Sequence, residues 1–167
     1  MRPMDSPVVK QMANSFFEAG FTCLRFNFRG TGKSLGFYDN GDGEQKDVQA
    51  ALDWLKEHHV SSLFLAGYSF GAWVNAHVVA AGARVDDHIM VSPPAAFLSF
   101  DSIPRLPSTG LIIAGDADDL APLDKIQSLA DQWGISPTLA VLDRGDHFYS
   151  GHLNELRNIL LAYLCPD

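Results

Sequence analysis

The sequence predicts an α/β fold: a mainly parallel sheet of about five strands with helices on both faces. Three observations carry this prediction. Five short apolar runs recur along the chain, and segments of helical periodicity separate them. The runs are close to continuously apolar rather than alternating, as expected of strands covered on both sides by helices. The 167 residues show no internal repeat, low-complexity tract or linker, so residues 1–167 are expected to form a single domain.

The elements follow in order. Asp5-Ser6-Pro7 is a helix start, a capping side chain followed by proline at the first helical position. The helix is expected from about Pro7 to Ala19, with Val9, Met12, Ala13, Phe16 and Phe17 on one face and Gly20 ending it. Thr22 to Phe28 is rich in large apolar residues and reads as a strand, followed by a glycine-rich loop from Arg29 to Gly43. From about Glu44 to His58, Val48, Ala51, Leu52 and Leu55 recur at helical spacing. Leu63 to Gly67 is the next strand, and the Ala/Val-rich segment from Ala72 to Ala83 is a buried helix. His88–Ser92 and Gly110–Gly115 are further strands. A helix is expected from about Pro122 to Trp133, then a strand at Thr138–Leu142. A closing helix from about Leu153 to Leu164 carries an apolar stripe through Leu156, Ile159, Leu160 and Tyr163.

Composition narrows the function classes. Twelve Lys and Arg against twenty Asp and Glu give a net charge of -8, which argues against nucleic acid or an anionic membrane as partner. Two cysteines, Cys23 and Cys165, form neither a disulfide framework nor a metal spacing, and read as reduced thiols of a cytoplasmic protein. The N-terminus lacks the apolar run of a signal peptide, and no window approaches a membrane span.

The chemistry centres on Gly67-Tyr68-Ser69-Phe70-Gly71, a serine between two glycines at a strand-to-helix junction. Such an elbow lifts the Ser69 hydroxyl above the sheet edge and aims the first N–H groups of the helix at an incoming carbonyl oxygen. Gly67 and Gly71 are expected to leave room where a Cβ would clash. A serine hydroxyl needs a base, and the base an orienting carboxylate. The loops after the later strands supply both: Asp116, Asp118 and Asp119 in one, His147 in the other. Spacing alone does not choose among the three aspartates. His58 and His59 end a helix, where they complement its dipole. His77 lies within a helix, His88 opens a strand, and His152 follows the His147 loop.

Taken together, Leu24-Arg25-Phe26-Asn27-Phe28-Arg29-Gly30-Thr31-Gly32-Lys33-Ser34, Gly67–Gly71, Gly115-Asp116-Ala117-Asp118 with Ala121-Pro122, and Gly145-Asp146-His147-Phe148 resemble an α/β-hydrolase. The resemblance is to the small, nearly lidless dienelactone-hydrolase-like and serine-aminopeptidase-like branch. It implies Asp118 as the acid, since that family's acid stands three residues after the glycine. It also implies Ser69 as nucleophile, His147 as base, Phe70 N–H as oxyanion donor, and neither metal nor organic cofactor. Serine in place of the cysteine of dienelactone hydrolases implies ester or related acyl chemistry. Relative to the family, the chain is N-terminally shortened. A central strand would belong between Thr22–Phe28 and Leu63–Gly67, and its loop would supply the second oxyanion donor. Without it two strand edges are left unpaired, so a homodimer is a plausible arrangement.

The expected function is a serine hydrolase acting on a small or accessible carboxylic ester, or a thioester or amide. The short stretch from Pro93 to Thr109 implies an open site. A non-catalytic or truncated binding module is the alternative. A phosphate-loop nucleotide binder is the third reading, because Asn27 to Ser34 comes within one residue of Gly-x-x-x-x-Gly-Lys-Ser. Against it, Leu35 to Gly43 is a loop by composition, where a phosphate loop must open a helix.

Overall fold

The computed structural model describes residues 4–58 and 60–166, so the reading of His59 lies outside the described residues. Helix α1 spans Pro7–Glu18; the Ser6 side chain accepts from Val9 N–H at 3.3 Å, with Pro7 opening the first turn. Its buried face runs through Val8, Met12, Ser15 and Phe16. Phe17, expected on that face, is 75% exposed. The buried stripe is rotated towards Val8 and Ser15, and the glutamate of Glu18 at its end pairs with Arg157 of the last helix.

The segment 22–28 corrects the sequence reading. It forms no strand, and most of it is exposed. A strand exists through a ladder partner, and none is paired here. A cavity of about 530 Å³ is lined by Cys23, Leu24 and Phe26 on one side and by Leu63, Phe64 and Leu65 on the other. The sheet therefore has four strands and does not close over this space.

The glycine-rich loop is held by helix α2, Asp42–Glu57. Asp47 takes the Arg29 guanidinium at 2.7 Å and the Arg29 backbone N–H at 2.9 Å. The buried Glu44 carboxylate accepts from Gly41 N–H at 2.8 Å and Asp39 N–H at 3.1 Å. Lys33 lies in a turn, and no helix begins between it and Asp42. The feature that a phosphate loop requires is therefore missing from this segment.

The remaining elements alternate: β1 Phe64–Tyr68, α3 Phe70–Ala80, β2 Asp87–Val91, β3 Thr109–Gly115, α4 Leu123–Trp133, β4 Thr138–Leu142 and α5 Leu153–Leu164. All pairings are parallel, in the order β1-β2-β3-β4. Side chains alternate across the sheet. Ile89, Val91, Leu111 and Ile113 meet α1 and α5 on one face through Met12, Phe16, Leu156 and Leu160. Met90, Ile112 and Ala114 meet α3 and α4 on the other through Ala72, Ala76, Ile126 and Trp133. The β2–β3 connection, residues 92–108, contains no α-helix; it packs down through Phe100, Ile103 and Leu106 instead of arching outward. Trp73 and His77 of α3 bond it at Ser99 and Ser102.

Candidate active site

Parallel strands end on a common edge, and the site is built there. Ser69 joins β1 to α3 with φ 52° and ψ -120°, a strained backbone for a residue with a side chain. Its N–H bonds the Val91 carbonyl of the next strand at 2.9 Å, which holds the turn against β2. A Cβ on Gly67 would lie 2.6 Å from the Gly71 carbonyl oxygen and 2.6 Å from Asn75 Nδ2, so only glycine closes this elbow. Gly71 differs from expectation: a Cβ there meets nothing within 4 Å. Its position in the first turn of α3 faces open space beside the cavity.

Ser69 Oγ lies 2.8 Å from His147 Nε2, and His147 Nδ1 lies 2.9 Å from both oxygens of Asp118. A carboxylate only accepts, so the imidazole carries its proton on Nδ1 and leaves Nε2 to receive the serine proton. Among the loop aspartates, Asp118 is the one that reaches His147. Asp116 instead accepts from the Arg144 backbone N–H and ties the two loops together, while Asp119 is exposed. Gly115 and Gly145 bring those loops into backbone contact, and a Cβ on Gly115 would overlap the Gly145 carbonyl.

Asp118 and His147 are buried, with Asp118 3% and His147 7% exposed. Burial works to raise the Asp118 pKa. Hydrogen bonds from His147 and Ser92, the His147 charge and the Ala121 N–H outweigh it and hold the carboxyl below the ordinary carboxylate value. Leu120 and Ala121 N–H each reach Asp118 Oδ1 at 3.0 Å.

Phe70 opens α3, so its N–H is one of the first-turn donors without an intrahelical partner. Its ring packs against Phe28 at 5.8 Å and Tyr38 at 5.9 Å, forming an aromatic wall beside the serine. Phe37, next to Tyr38 in the glycine-rich loop, is 88% exposed. The other described histidines are engaged elsewhere. His58 bonds the Trp54 carbonyl, His77 bonds Trp73 and Ser102, His88 bonds Thr109, and His152 bonds Ser150. Among the described residues no group of three or more His, Cys, Asp or Glu side chains is placed to hold a metal ion. No helix among them is long and apolar enough to cross a membrane.

Three residues around the site carried no mark in the sequence analysis. Tyr68 donates from its phenol to the His147 carbonyl at 2.7 Å, and Ser92 meets Tyr149 at 3.0 Å behind Asp118. Tyr68 sits inside the serine motif, which was the one available signal.

A family profile described as X-Pro dipeptidyl-peptidase (S15 family) matches residues 3–121, from the first helix through the acid loop. The chain belongs to the S15 family. A relative of the S15 chain, the uncharacterized protein RP471 of Rickettsia prowazekii, is 32% identical over 171 residues, covering 96% of this chain and 72% of its own length. Among solved structures, an α/β serine hydrolase homologue from Coxiella burnetii is 37% identical with a TM-score of 0.89, over 98% of this chain and 78% of that one. XC6422 from Xanthomonas campestris, an α/β serine hydrolase without lid, is 34% identical with a TM-score of 0.88, over 96% and 73%. The fold is thus that of the α/β hydrolases, and the description of XC6422 as without lid agrees with the packed-down 92–108 connection of this chain.

Proposed function

We propose that this S15-family chain is a serine hydrolase that cleaves a small or accessible carboxylic ester through an acyl-enzyme, with thioesters and amides as related substrates. The observation that carries the reading is the unbroken line of contacts, 2.8 Å from Ser69 to His147 and 2.9 Å from His147 to Asp118. Ser69 Oγ attacks the acyl carbon while His147 Nε2 takes its proton. Phe70 N–H stabilises the oxyanion. The tetrahedral species collapses as His147 returns the proton to the leaving alcohol. Water then repeats the cycle and releases the acid. Asp118 stays ionised and holds the imidazole tautomer. The low-lying 92–108 connection and the aromatic wall support a small, apolar acyl substrate reached from solvent.

The family's description adds a peptide bond as a second candidate linkage. A non-catalytic binding role is favoured by one observation, that Phe70 N–H is the single oxyanion donor assigned; loss of one donor costs on the order of a hundredfold or more in rate. Hydrolysis of p-nitrophenyl acetate, butyrate and octanoate, beside Ala-Pro-p-nitroanilide, tests the proposal. Turnover of the short esters above the Ser69→Ala background is expected. Equal rates for the folded protein and that variant on all four substrates would contradict it.

A further inference from the structure

β1 has one partnered edge, and its other edge faces the cavity. Ser69 N–H reaches the Val91 carbonyl and Asp86 N–H reaches the Leu63 carbonyl, both at 2.9 Å. The odd-numbered residues from 63 to 69 therefore direct their backbone groups at β2. Alternation along the strand turns those of Phe64 and Ala66 the other way. Two N–H and two carbonyl groups point into a space of about 530 Å³. Among the described residues, no strand pairs with β1 on that side.

The far wall is tethered elsewhere and does not move in to take these bonds. Arg25 donates to the Met4 carbonyl at 2.8 Å, and Asn27 Oδ1 accepts from Met4 N–H at 2.7 Å. The Asn27 carbonyl accepts from the Ser34 hydroxyl at 2.8 Å. Above and below, the gap is apolar. Met12, Phe16 and Phe21 line one face, and Val48, Leu52 and Leu55 of α2 line the other. Arg25 is the one Asp, Glu, Lys or Arg among the described lining residues.

We propose that this gap is a strand acceptor: it takes an extended, uncharged segment of polypeptide from outside these 167 residues, apolar on both faces and hydrogen-bonded to Phe64 and Ala66. Each part of the description answers an observation. A hydrocarbon chain would cover the apolar faces and leave four backbone groups without partners. Water would satisfy those groups and leave the apolar faces wet. Polypeptide meets both demands, as in strand addition at an open sheet edge. The two apolar faces require a continuously apolar segment rather than an alternating one. β1 has five residues, so the paired length is about 16 Å. The longer relatives have chain to supply such a segment. Matches over 96–98% of this chain cover 72% of RP471, 78% of the Coxiella homologue and 73% of XC6422. Because β1 runs directly into Ser69, a bound strand steadies the edge that carries it.

The test adds overlapping synthetic peptides to the full chain. They cover the part of the Coxiella burnetii homologue that has no counterpart here; scrambled peptides and decanoate serve as controls. Exchange of the Phe64 and Ala66 amide protons is followed by NMR, and melting by calorimetry. One peptide is expected to slow exchange of both amides on the order of tenfold or more and to raise the melting temperature. Two N-methylated copies of that peptide, one for each alternate set of residues, separate pairing from mere apolar insertion. The copy methylated on the set that faces β1 is expected to lose the protection. Several results would overturn the proposal. They are protection by no peptide, equal protection by scrambled peptides or by both methylated copies, and stabilisation by decanoate beyond that of any peptide. Slow exchange of both amides without peptide would do so too, whether in a monomer or in a dimer found by sedimentation. Neither readout depends on Ser69, so an unreactive serine leaves the result standing.

Discussion

The phenol of Tyr68 donates a 2.7 Å hydrogen bond to the backbone carbonyl of His147. It ties the strand that carries Ser69 to the loop that carries His147, so the two are located relative to each other without relying on the sheet alone. Tyr68→Phe keeps the ring and removes the bond, leaving the carbonyl without this donor. A loss of about 1–3 kcal/mol is expected in urea unfolding, the cost of an unsatisfied buried acceptor. Ser69 labelling should slow, since His147 loses an anchor. Unchanged unfolding and unchanged labelling would show that the bond is idle.

The two glycines of contrasting surroundings give opposite predictions. Gly115→Ala places a Cβ on the Gly145 carbonyl, so the acid and base loops must part. Both thermal stability and labelling should fall sharply. Gly71→Ala meets open space in the first turn of α3, and should leave stability unchanged or raise it by up to about 1 kcal/mol. A melting series on the two variants checks this, and a destabilised Gly71→Ala protein would contradict the placement of that residue.

The pattern of elements is largely legible in the sequence, because most segments have local causes. β4 and α5 lie at the expected residues, and Ser6-Pro7 starts α1 as its side chain and ring dictate. Thr22 to Phe28 misleads for a physical reason: large apolar residues report a preference for a half-buried pleated surface, not the presence of a ladder partner. Phe17 misleads because helical periodicity tolerates a small rotation of the buried stripe. Within the site, the order of Ser69, acid and His147 can be read from the chain, but spacing does not separate Asp116 from Asp118. That choice is made in three dimensions, where one carboxylate meets the imidazole and the other clips a neighbouring turn. The left-handed backbones of Ser92 and Tyr149, at φ 45° and φ 57°, leave no trace in residue type at all.

His88 predicts an acid-side loss of stability. It is fully buried at the β2–β3 ladder, with Nδ1 2.9 Å from Thr109 Oγ1, and burial pushes its imidazole down to about 3 from the usual 6.5. A depressed folded value means that the unfolded chain binds the proton first. The contribution is complete above pH 6.5 and is lost progressively as pH falls towards 3, by at most about 4–5 kcal/mol. Unfolding free energies between pH 7 and 4 should slope downward for this protein and less steeply for His88→Asn, which retains a partner for Thr109. Parallel slopes would contradict the account.

The central claim is that Ser69 is an activated nucleophile. Intact-mass labelling with a fluorophosphonate probe, on this chain and its Ser69→Ala variant, tests it without knowledge of the substrate. A single adduct on the unsubstituted chain that is absent from the variant is the predicted result. No adduct on protein shown to be folded, or an adduct that survives Ser69→Ala, would contradict it.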